Sequence, residues 1–163
     1  MEAGGKDILA LSLKARTGRC CELGSKAVGG VNLDDEREKY IFPFEKLEVW
    51  HLSVALSEFV LGLLERIPPN KHLRLCGQME SAVVSTAQNI AEGKGRQYKR
   101  EFIQYLHISQ GSLYEVVTLA EIFRSKRLFE ENDALEVRIR CEAIDRKLNG
   151  LINSLQGKLK KSE

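Results

Sequence analysis

The residues best suited to binding a ligand lie in one short basic segment, GKGRQYKR at positions 93–100. Within eight residues it places four cations, a glutamine and a tyrosine between two stretches that have helical periodicity. Cations at the start of a helix, where backbone N–H groups are also unpaired, favour phosphate. This pattern predicts contact with a nucleic-acid backbone; solvated charges at the end of a helical bundle are the alternative. The candidate residues are Lys94, Arg96, Lys99 and Arg100.

Patterns for metal binding and catalysis are much weaker. A di-iron site in a four-helix bundle needs two Glu-x-x-His motifs, and Glu48 with His51 supplies one of them. No second motif exists, because His72 and His107 lack a glutamate three residues earlier. The glycines of residues 93–95 do not form a GxxxxGKS or GxxxxGKT phosphate loop, and no Ser-His-Asp or Cys-His arrangement can be assembled. The sequence therefore predicts no metal site, no cofactor, no catalytic residue and no enzymatic activity.

Length, charge and cysteine usage predict one cytoplasmic chain without a strong charge signature. Its 163 residues include 25 Lys and Arg against 23 Asp and Glu, so the net charge of +2 does not by itself indicate a nucleic-acid partner. The apolar run at residues 8–13 is too short for a signal peptide or a spanning helix, and no membrane partner is expected. Cysteines without paired spacing favour a reducing compartment. They are Cys20, Cys21, Cys76 and Cys141.

The chain consists of two regions that differ in composition and in apolar periodicity. Residues 1–40 contain six of the 13 glycines and no lasting amphipathic period, which predicts a poorly structured N-terminal extension with at most a short helix over residues 7–16. Residues 41–163 are predicted to form the folded domain, because apolar residues recur there at spacings of three and four.

Four amphipathic helices are predicted in the folded domain. Pro43 precedes the first and Pro68 ends it, since proline is tolerated at a helix start and disrupts a helix interior. Gly93 is the expected stop of the second helix. Asn132 or Asp133 is the expected cap of the fourth. The predicted ranges are residues 45–67, 71–91, 98–123 and 132–159.

Short connections between these helices make neighbouring helices antiparallel, so the predicted fold is an all-α, up-down-up-down four-helix bundle. In this topology three lysines from the end of the chain join the basic segment at one pole: Lys158, Lys160 and Lys161. The opposite pole receives Arg66, Lys71, Arg74, Arg124, Lys126 and Arg127. The last three of these, Arg124, Lys126 and Arg127, are predicted to support nucleic-acid binding.

A specific signature runs through the helices. Asn-Ile-Ala-Glu-Gly at residues 89–93 is followed by Gly-Ser-Leu-x-Glu at residues 111–115. The signature also includes Phe44-Glu45-Lys46-Leu47, Val49-Trp50, Gln78, Ser85 and Glu101-Phe102. With these residues, the chain resembles the four-helix bundle proteins encoded in intervening sequences of bacterial 23S ribosomal RNA genes. It is also similar to the accessory variability proteins of diversity-generating retroelements. The resemblance covers residues 44–159.

This resemblance implies a homopentameric, ring-like assembly of four-helix protomers with no known catalytic activity. It implies nucleic acid, structured RNA above all, as the partner of the basic residues, with a ribosomal component as a further partner. The alternative is an accessory subunit that binds another protein, such as the reverse transcriptase of a diversity-generating retroelement. The chain departs from the family after Gln78, where basic residues are usual, because it has Glu80 and Ser81 instead. That departure weakens any basic face on the second helix.

The signature residues are predicted to have mainly structural roles. Asn89 and Glu92 are expected to hydrogen-bond backbone groups of the turn that Gly93 reverses. Gly111 is expected where another helix comes close, at a contact between protomers. The residues expected to hydrogen-bond one another or a neighbouring subunit are Gln78, Ser85 and Ser112. The full set is Gln78, Ser85, Asn89, Glu92, Gly93, Gly111, Ser112 and Glu115.

Overall fold

The computed structural model describes residues 40–160, which form four α-helices and, within that range, no strand. The helices are α1 (Glu48–Leu64), α2 (Leu73–Lys94), α3 (Lys99–Ser125) and α4 (Glu131–Lys160). The predicted all-α fold is confirmed. Nowhere in residues 40–160 is a helix both long enough and apolar enough to cross a membrane. The predicted N-terminal extension, its short helix and Lys161 lie outside the described residues.

Both ends of α2 differ from the prediction. The helix begins at Leu73 and not at residue 71, because His72 has a left-handed φ of 55°. It continues through Gly93 to Lys94, so the prediction that Gly93 stops the helix and reverses the chain is wrong. Gly95 follows the helix as its cap. Gly93 instead allows Phe102 and Tyr105 of α3 to pack closely against α2.

The start of α4 also differs from the prediction. The backbone N–H of Ala134 donates to the carbonyl of Glu130 at 3.1 Å, so Glu130 precedes the first helical residue, Glu131. Asn132 and Asp133 therefore lie inside the first turn and do not cap the helix, contrary to the prediction. Carboxylates in the first turn still stabilise the helix, because its N-terminus carries partial positive charge.

Each helix packs against two others: α1 and α3 both contact α2 and α4. Neighbours run antiparallel, since Gly93 near the end of α2 lies against Tyr105 while Ser85, earlier on α2, contacts Ser112, later on α3. The core is a single cluster of aliphatic and aromatic side chains, in which a fully buried leucine or valine contributes about 1.5–3 kcal/mol. Side chains with no exposed surface include Leu56, Val60, Val83, Ile90, Leu106, Val116, Phe123 and Leu148.

Small hydroxyl side chains join the helices inside the core. Ser57 Oγ of α1 donates to the carbonyl of Val83 at 3.1 Å, and Ser109 Oγ of α3 donates to the carbonyl of Thr86 at 2.8 Å. Over the described residues, every buried side-chain nitrogen or oxygen has a hydrogen-bond partner. The middle of α2 is therefore hydrogen-bonded to both neighbouring helices.

Candidate nucleic-acid interface

The predicted basic segment connects α2 to α3, and the end of α4 lies beside it. Residues 95–98 form the connection between the two helices. A groove there is bordered by residues 97–101 on one side and by Leu159 of α4 on the other. The topology thus brings the last turn of α4 next to the basic segment, as the sequence predicts. Residues 92–101 and 158–160 are here called the α2–α3 pole.

Positive charge dominates the α2–α3 pole. Six cations lie in these residues, against the two carboxylates of Glu92 and Glu101. The start of α1 adds Lys46, Glu45 and Glu48 on this side of the bundle, and Glu48 pairs with Lys147 at 2.7 Å. Clustered cations of this kind attract phosphate over distances of a Debye length. The six are Lys94, Arg96, Lys99, Arg100, Lys158 and Lys160.

Arg96 belongs to a cluster with Glu92 and Tyr105. Its Nη2 group contacts Glu92 Oε1 and the Tyr105 hydroxyl, and its guanidinium carbon lies 4.8 Å from the centre of the Tyr105 ring. The Tyr105 hydroxyl donates to Glu92 Oε1 at 2.8 Å. This hydrogen bond, with a further contribution from Arg96, lowers the pKa of Glu92, and the carboxylate in turn raises the pKa of Tyr105. The cluster fixes the plane of the guanidinium and offsets part of its charge.

Gly93 lets α3 approach α2 closely enough for this cluster to form. A Cβ atom at Gly93 would lie 2.5 Å from Tyr105 Cβ and 3.0 Å from Phe102 Cδ2. Beside it, the half-buried Lys94 places its Nζ atom 5.6 Å from the centre of the Phe102 ring, where the ring face attracts a cation. Lys99 is exposed at the first turn of α3. Lys94 and Arg96 therefore lie at one tightly packed helix crossing, whereas Lys99 and Arg100 line the neighbouring groove.

The opposite pole, residues 65–74 and 121–133, is nearly balanced in charge. It carries six cations and five carboxylates. Arg124 donates to Glu121 at 2.9 Å and to Glu131 at 3.0 Å, and these contacts raise its pKa. Its charge is thus largely compensated within the chain.

The seven predicted nucleic-acid-binding cations therefore form two separate groups at opposite ends of the bundle. Lys126 and Arg127 are exposed at the opposite pole, and Arg127 has a left-handed φ of 54° in the connection between α3 and α4. Arg124, the third member of that group, is internally paired. The charge count favours the α2–α3 pole over the opposite pole as the surface with the larger excess of positive charge.

The signature residues of α2 and α3 form a hydrogen-bonded network. Ser85 Oγ and Ser112 Oγ lie 2.9 Å apart, so these two residues satisfy one another as predicted. Asn89 Nδ2 donates to the carbonyl of Ser85 at 2.7 Å and to Ser85 Oγ at 2.9 Å. The sequence predicted that Asn89 and Glu92 bond backbone groups of the turn, and this prediction is wrong. Asn89 bonds one helical turn back, and Glu92 bonds the side chains of α3.

Three other signature residues face solvent. Gln78 is exposed on α2, and its side chain hydrogen-bonds to no other side chain of residues 40–160, so the predicted bond to Ser85 or Ser112 is not formed within the chain. No atom lies within 4 Å of a Cβ placed on Gly111, and the close helix contact expected there does not occur inside the bundle. Glu115 is exposed one helical turn after Gly111. Contact of this face with a second protomer stays a prediction.

Tyr105 is the member of this site that the sequence did not single out. Its position beside Arg96 depends on the offset between α2 and α3, which apolar periodicity does not determine. The available signal was Gly93, because a glycine inside a helix indicates that a bulky side chain of a neighbouring helix comes close. Because Gly93 was interpreted as a helix stop, its close packing against Tyr105 was not predicted.

The remaining polar clusters suit structural roles better than chemistry. Gln110 Nε2 of α3 donates to Asp145 Oδ1 and Asn149 Oδ1 of α4, both at 3.0 Å. The ring of His51, which belongs to the single Glu-x-x-His motif, lies 2.6 Å from the carbonyl oxygen of Glu45 through its Nε2 atom. Across residues 40–160, no group of three or more His, Cys, Asp and Glu is arranged to hold a metal ion.

Comparison with known proteins identifies a family and a fold. The family model described as "23S rRNA-intervening sequence protein" matches residues 45–150. A crystal structure of a protein with unknown function from the S23 ribosomal protein family of Bacteroides thetaiotaomicron VPI-5482 is similar, with a TM-score of 0.60 and 18% identity. The similarity covers 64% of this chain and 97% of that chain, and at this identity it shows the fold alone. No curated protein matches the chain.

Proposed function

This chain belongs to the 23S rRNA-intervening sequence protein family, and on that basis we propose that it is a non-catalytic, homo-oligomeric protein that binds structured RNA through its α2–α3 pole. The observation that carries the proposal is the charge of this pole, where six cations stand against two carboxylates. RNA phosphates are the partners that such a surface attracts. The proposal places the function in the cytoplasm, with ribosomal RNA or a ribosomal component as partner.

Phosphate binding in this proposal uses cations with different degrees of freedom. Lys99 is exposed and adapts to the RNA backbone, whereas Lys94 is restrained over the Phe102 ring. Arg96 offers the remaining N–H groups of a guanidinium whose plane is already fixed, which lowers the entropy lost on binding. Each neutralised phosphate releases counterions, so log K falls by about 0.7 to 0.9 per contact for each tenfold rise in salt.

Assembly of several copies multiplies this surface. The outer face of α3 carries Ile108, Gly111, Glu115 and Ile122 at helical spacing. Ile108 is 45% exposed and Ile122 is 39% exposed, and the open space at Gly111 between them leaves room for a neighbouring helix to approach closely. We assign this face to contact between copies in the ring-like pentamer that the family resemblance implies. Several basic poles on one assembly then bind one RNA together, which raises the overall affinity.

A protein-binding role is the second candidate, and an apolar groove supports it. The groove lies between α1 and α2, and its surface is almost entirely apolar. Grooves of this kind accept an apolar segment of another protein, such as a reverse transcriptase or a ribosomal protein. Val84→Glu would block such a partner without changing RNA binding. The apolar side chains of the groove are Phe44, Trp50, Val54, Leu61, Val84, Ala87 and Ala91.

Two variants that remove equal charge from opposite poles test the proposal. The first replaces Lys94, Arg96, Lys99 and Arg100 with alanine. The control replaces Lys71, Arg74, Lys126 and Arg127 with alanine. We expect the first to weaken binding of a labelled structured RNA by about tenfold or more and the control to change it much less, with helicity and solution mass unchanged in both. Equal losses in the two variants would show that the α2–α3 pole is not the binding surface.

A further inference from the structure

The groove at the α2–α3 pole has a lining that phosphate binding alone does not explain. Its volume is about 610 Å³, and it lies between the α2–α3 connection and Leu159 of α4. An amide, an aromatic ring, two cations and a carboxylate line it: Gln97, Tyr98, Lys99, Arg100 and Glu101. A nucleotide needs such a mixture, because its base and its phosphate have different binding chemistry.

Glu101 is the unexpected member of this lining. An ionised carboxylate repels phosphate, and the other carboxylate of the pole, Glu92, already has Arg96 and Tyr105 as partners. Glu101 is exposed and forms no salt bridge with another residue in the range 40–160. Its place in the first turn of α3 is favourable for the helix. It leaves both carboxylate oxygens available to accept hydrogen bonds from a ligand.

Two adjacent hydrogen-bond donors are the natural partner of a carboxylate. Among the RNA bases, guanine presents such a pair, N1–H and N2–H, on its Watson–Crick edge. The other bases present one donor group there, beside acceptors that a carboxylate repels. A carboxylate in an otherwise cationic groove therefore favours guanine over adenine and uracil, provided that the base is unpaired and its edge is accessible.

Tyr98 supplies the flat surface that an unpaired base requires. Its side chain is 63% exposed, and its backbone is extended immediately before α3, with φ −102° and ψ 138°. Exposed aromatic rings in single-strand binding sites stack on bases with little regard to sequence. Tyr98 and Glu101 line the same groove, so stacking and edge recognition can act on one base.

We propose that this groove binds one unpaired guanine nucleotide of an RNA partner. The Tyr98 ring stacks on the base, the Glu101 carboxylate accepts hydrogen bonds from its N1–H and N2–H groups, and Lys99 neutralises the adjoining phosphate. The inference rests on the proposed RNA-binding function and adds the nucleotide that the same pole selects. Single-stranded or looped guanosines within a structured RNA are therefore the preferred contacts.

Fluorescence anisotropy with the full-length protein tests this assignment. The probes are a labelled oligouridine, the same strand with one central guanosine, and the same strand with one central adenosine. We expect the guanosine strand to bind wild type about tenfold more tightly than the other two. Glu101→Gln should remove this preference while leaving oligouridine binding unchanged or slightly stronger. Tyr98→Ala should weaken binding of all three strands.

Glu130→Gln at the opposite pole is the matched control and should keep the guanosine preference, and circular dichroism should show equal helicity in all variants. Equal affinity of wild type for the three strands, or a guanosine preference that survives Glu101→Gln, would overturn the guanine site while RNA binding by the pole stands. Failure to bind any of these strands or a structured RNA at low salt would instead overturn the proposed function itself.

Discussion

Glu92 and Tyr105 act on Arg96 in different ways. Tyr105 supports the guanidinium through its ring face and hydroxyl, and it leaves the positive charge intact. Glu92 orients the same group but also competes with phosphate for it. In the proposed function, the balance between orientation and competition decides how strongly Arg96 contributes to RNA binding. Because all three side chains are at the surface, water weakens the competing ion pair, and a phosphate can displace it.

Glu92→Gln tests this competition at the scale of one residue. Glutamine keeps an oxygen acceptor for the Tyr105 hydroxyl and removes the negative charge. We expect RNA to bind about two- to fivefold more tightly at low salt, the scale of one exposed ion pair, with the gain disappearing at high salt. Measured by the same anisotropy assay, Glu130→Gln should have no effect. Weaker binding by Glu92→Gln would show that orientation of Arg96 matters more than competition.

The same cluster makes stability depend on pH. The Tyr105 hydrogen bond lowers the pKa of Glu92 from 4.5, so the stabilisation is present above that value and is lost as pH falls through the folded-state pKa. The bond to Glu92 raises the pKa of Tyr105 from 10.0, so that contribution is present below 10.0 and is lost as pH rises through the folded-state pKa. The cluster therefore stabilises the protein most between these two limits.

Tyr105→Phe tests this pH dependence by urea unfolding. We expect a lower free energy of unfolding than wild type near neutral pH, and a difference that shrinks once the pH is well below 4.5, where Glu92 is protonated. Tyr98→Phe removes an exposed hydroxyl outside the cluster and should match wild type at both pH values. A difference between Tyr105→Phe and wild type that does not change with pH would contradict the ionic character of the cluster.

At the scale of the helices, two glycines give opposite predictions for the same substitution. Gly93→Ala places a methyl group 2.5 Å from Tyr105 Cβ, which cannot rotate away, so α2 and α3 must separate. We expect a loss of about 1–3 kcal/mol in the free energy of unfolding. The methyl group of Gly111→Ala meets no atom within 4 Å, and we expect this variant to raise the free energy of unfolding by up to about 1 kcal/mol, because alanine has the higher helix propensity. Urea unfolding followed by circular dichroism measures both changes. A free energy of unfolding for Gly93→Ala equal to that of wild type would contradict the close approach of α2 and α3.

The four helices and their order could be predicted from the sequence, because apolar residues at spacings of three and four persist through each of them. Their ends could not, because single residues decide them. The left-handed φ of His72 delays the start of α2, and Glu130 precedes the first residue of α4 two residues before Asn132, the earlier of the two expected caps. Such backbone choices depend on tertiary contacts as well as on local preference.

The basic residues of the site were also predictable, whereas their partners were not. The antiparallel topology alone places the end of α4 beside residues 94–100. The pairing of Arg96 with Tyr105 requires the offset between α2 and α3, which depends on how closely Phe102 and Tyr105 pack against the backbone of Gly93. The ion pairs of Arg124 with Glu121 and Glu131 could not be predicted either, because opposite charges that are close in sequence do not always form a contact.

At the scale of the whole molecule, the important property is the unequal charge of the two poles. A net charge of +2 conceals this difference, because the rest of the chain carries slightly more carboxylates than cations. Oligomerisation through the sides of the bundle would leave the poles accessible and repeat the basic one in every copy. Multivalent contact then compensates for the modest charge of each protomer.

Substitution of exposed aliphatic residues tests which side of the bundle forms the proposed assembly. Ile108→Glu with Ile122→Glu introduces charge on the outer face of α3 and should reduce the mass measured by light scattering to that of smaller species. Leu135→Glu with Ile139→Glu is the control on α4, where the side chains are 54% and 53% exposed, and should leave the mass unchanged. If the α4 pair dissociates the assembly and the α3 pair does not, the contact lies on α4 and the assignment to α3 is wrong.

RNA affinity of the full-length protein across a salt series, at a solution mass known from light scattering, is the most direct test of RNA binding by a multivalent basic pole. We expect log K to fall linearly with log salt, with a slope that corresponds to several phosphate contacts at about 0.7 to 0.9 each. The slope should decrease when Lys94, Arg96, Lys99 and Arg100 are replaced with alanine. Absence of binding at low salt, or binding that does not respond to salt, would contradict the account.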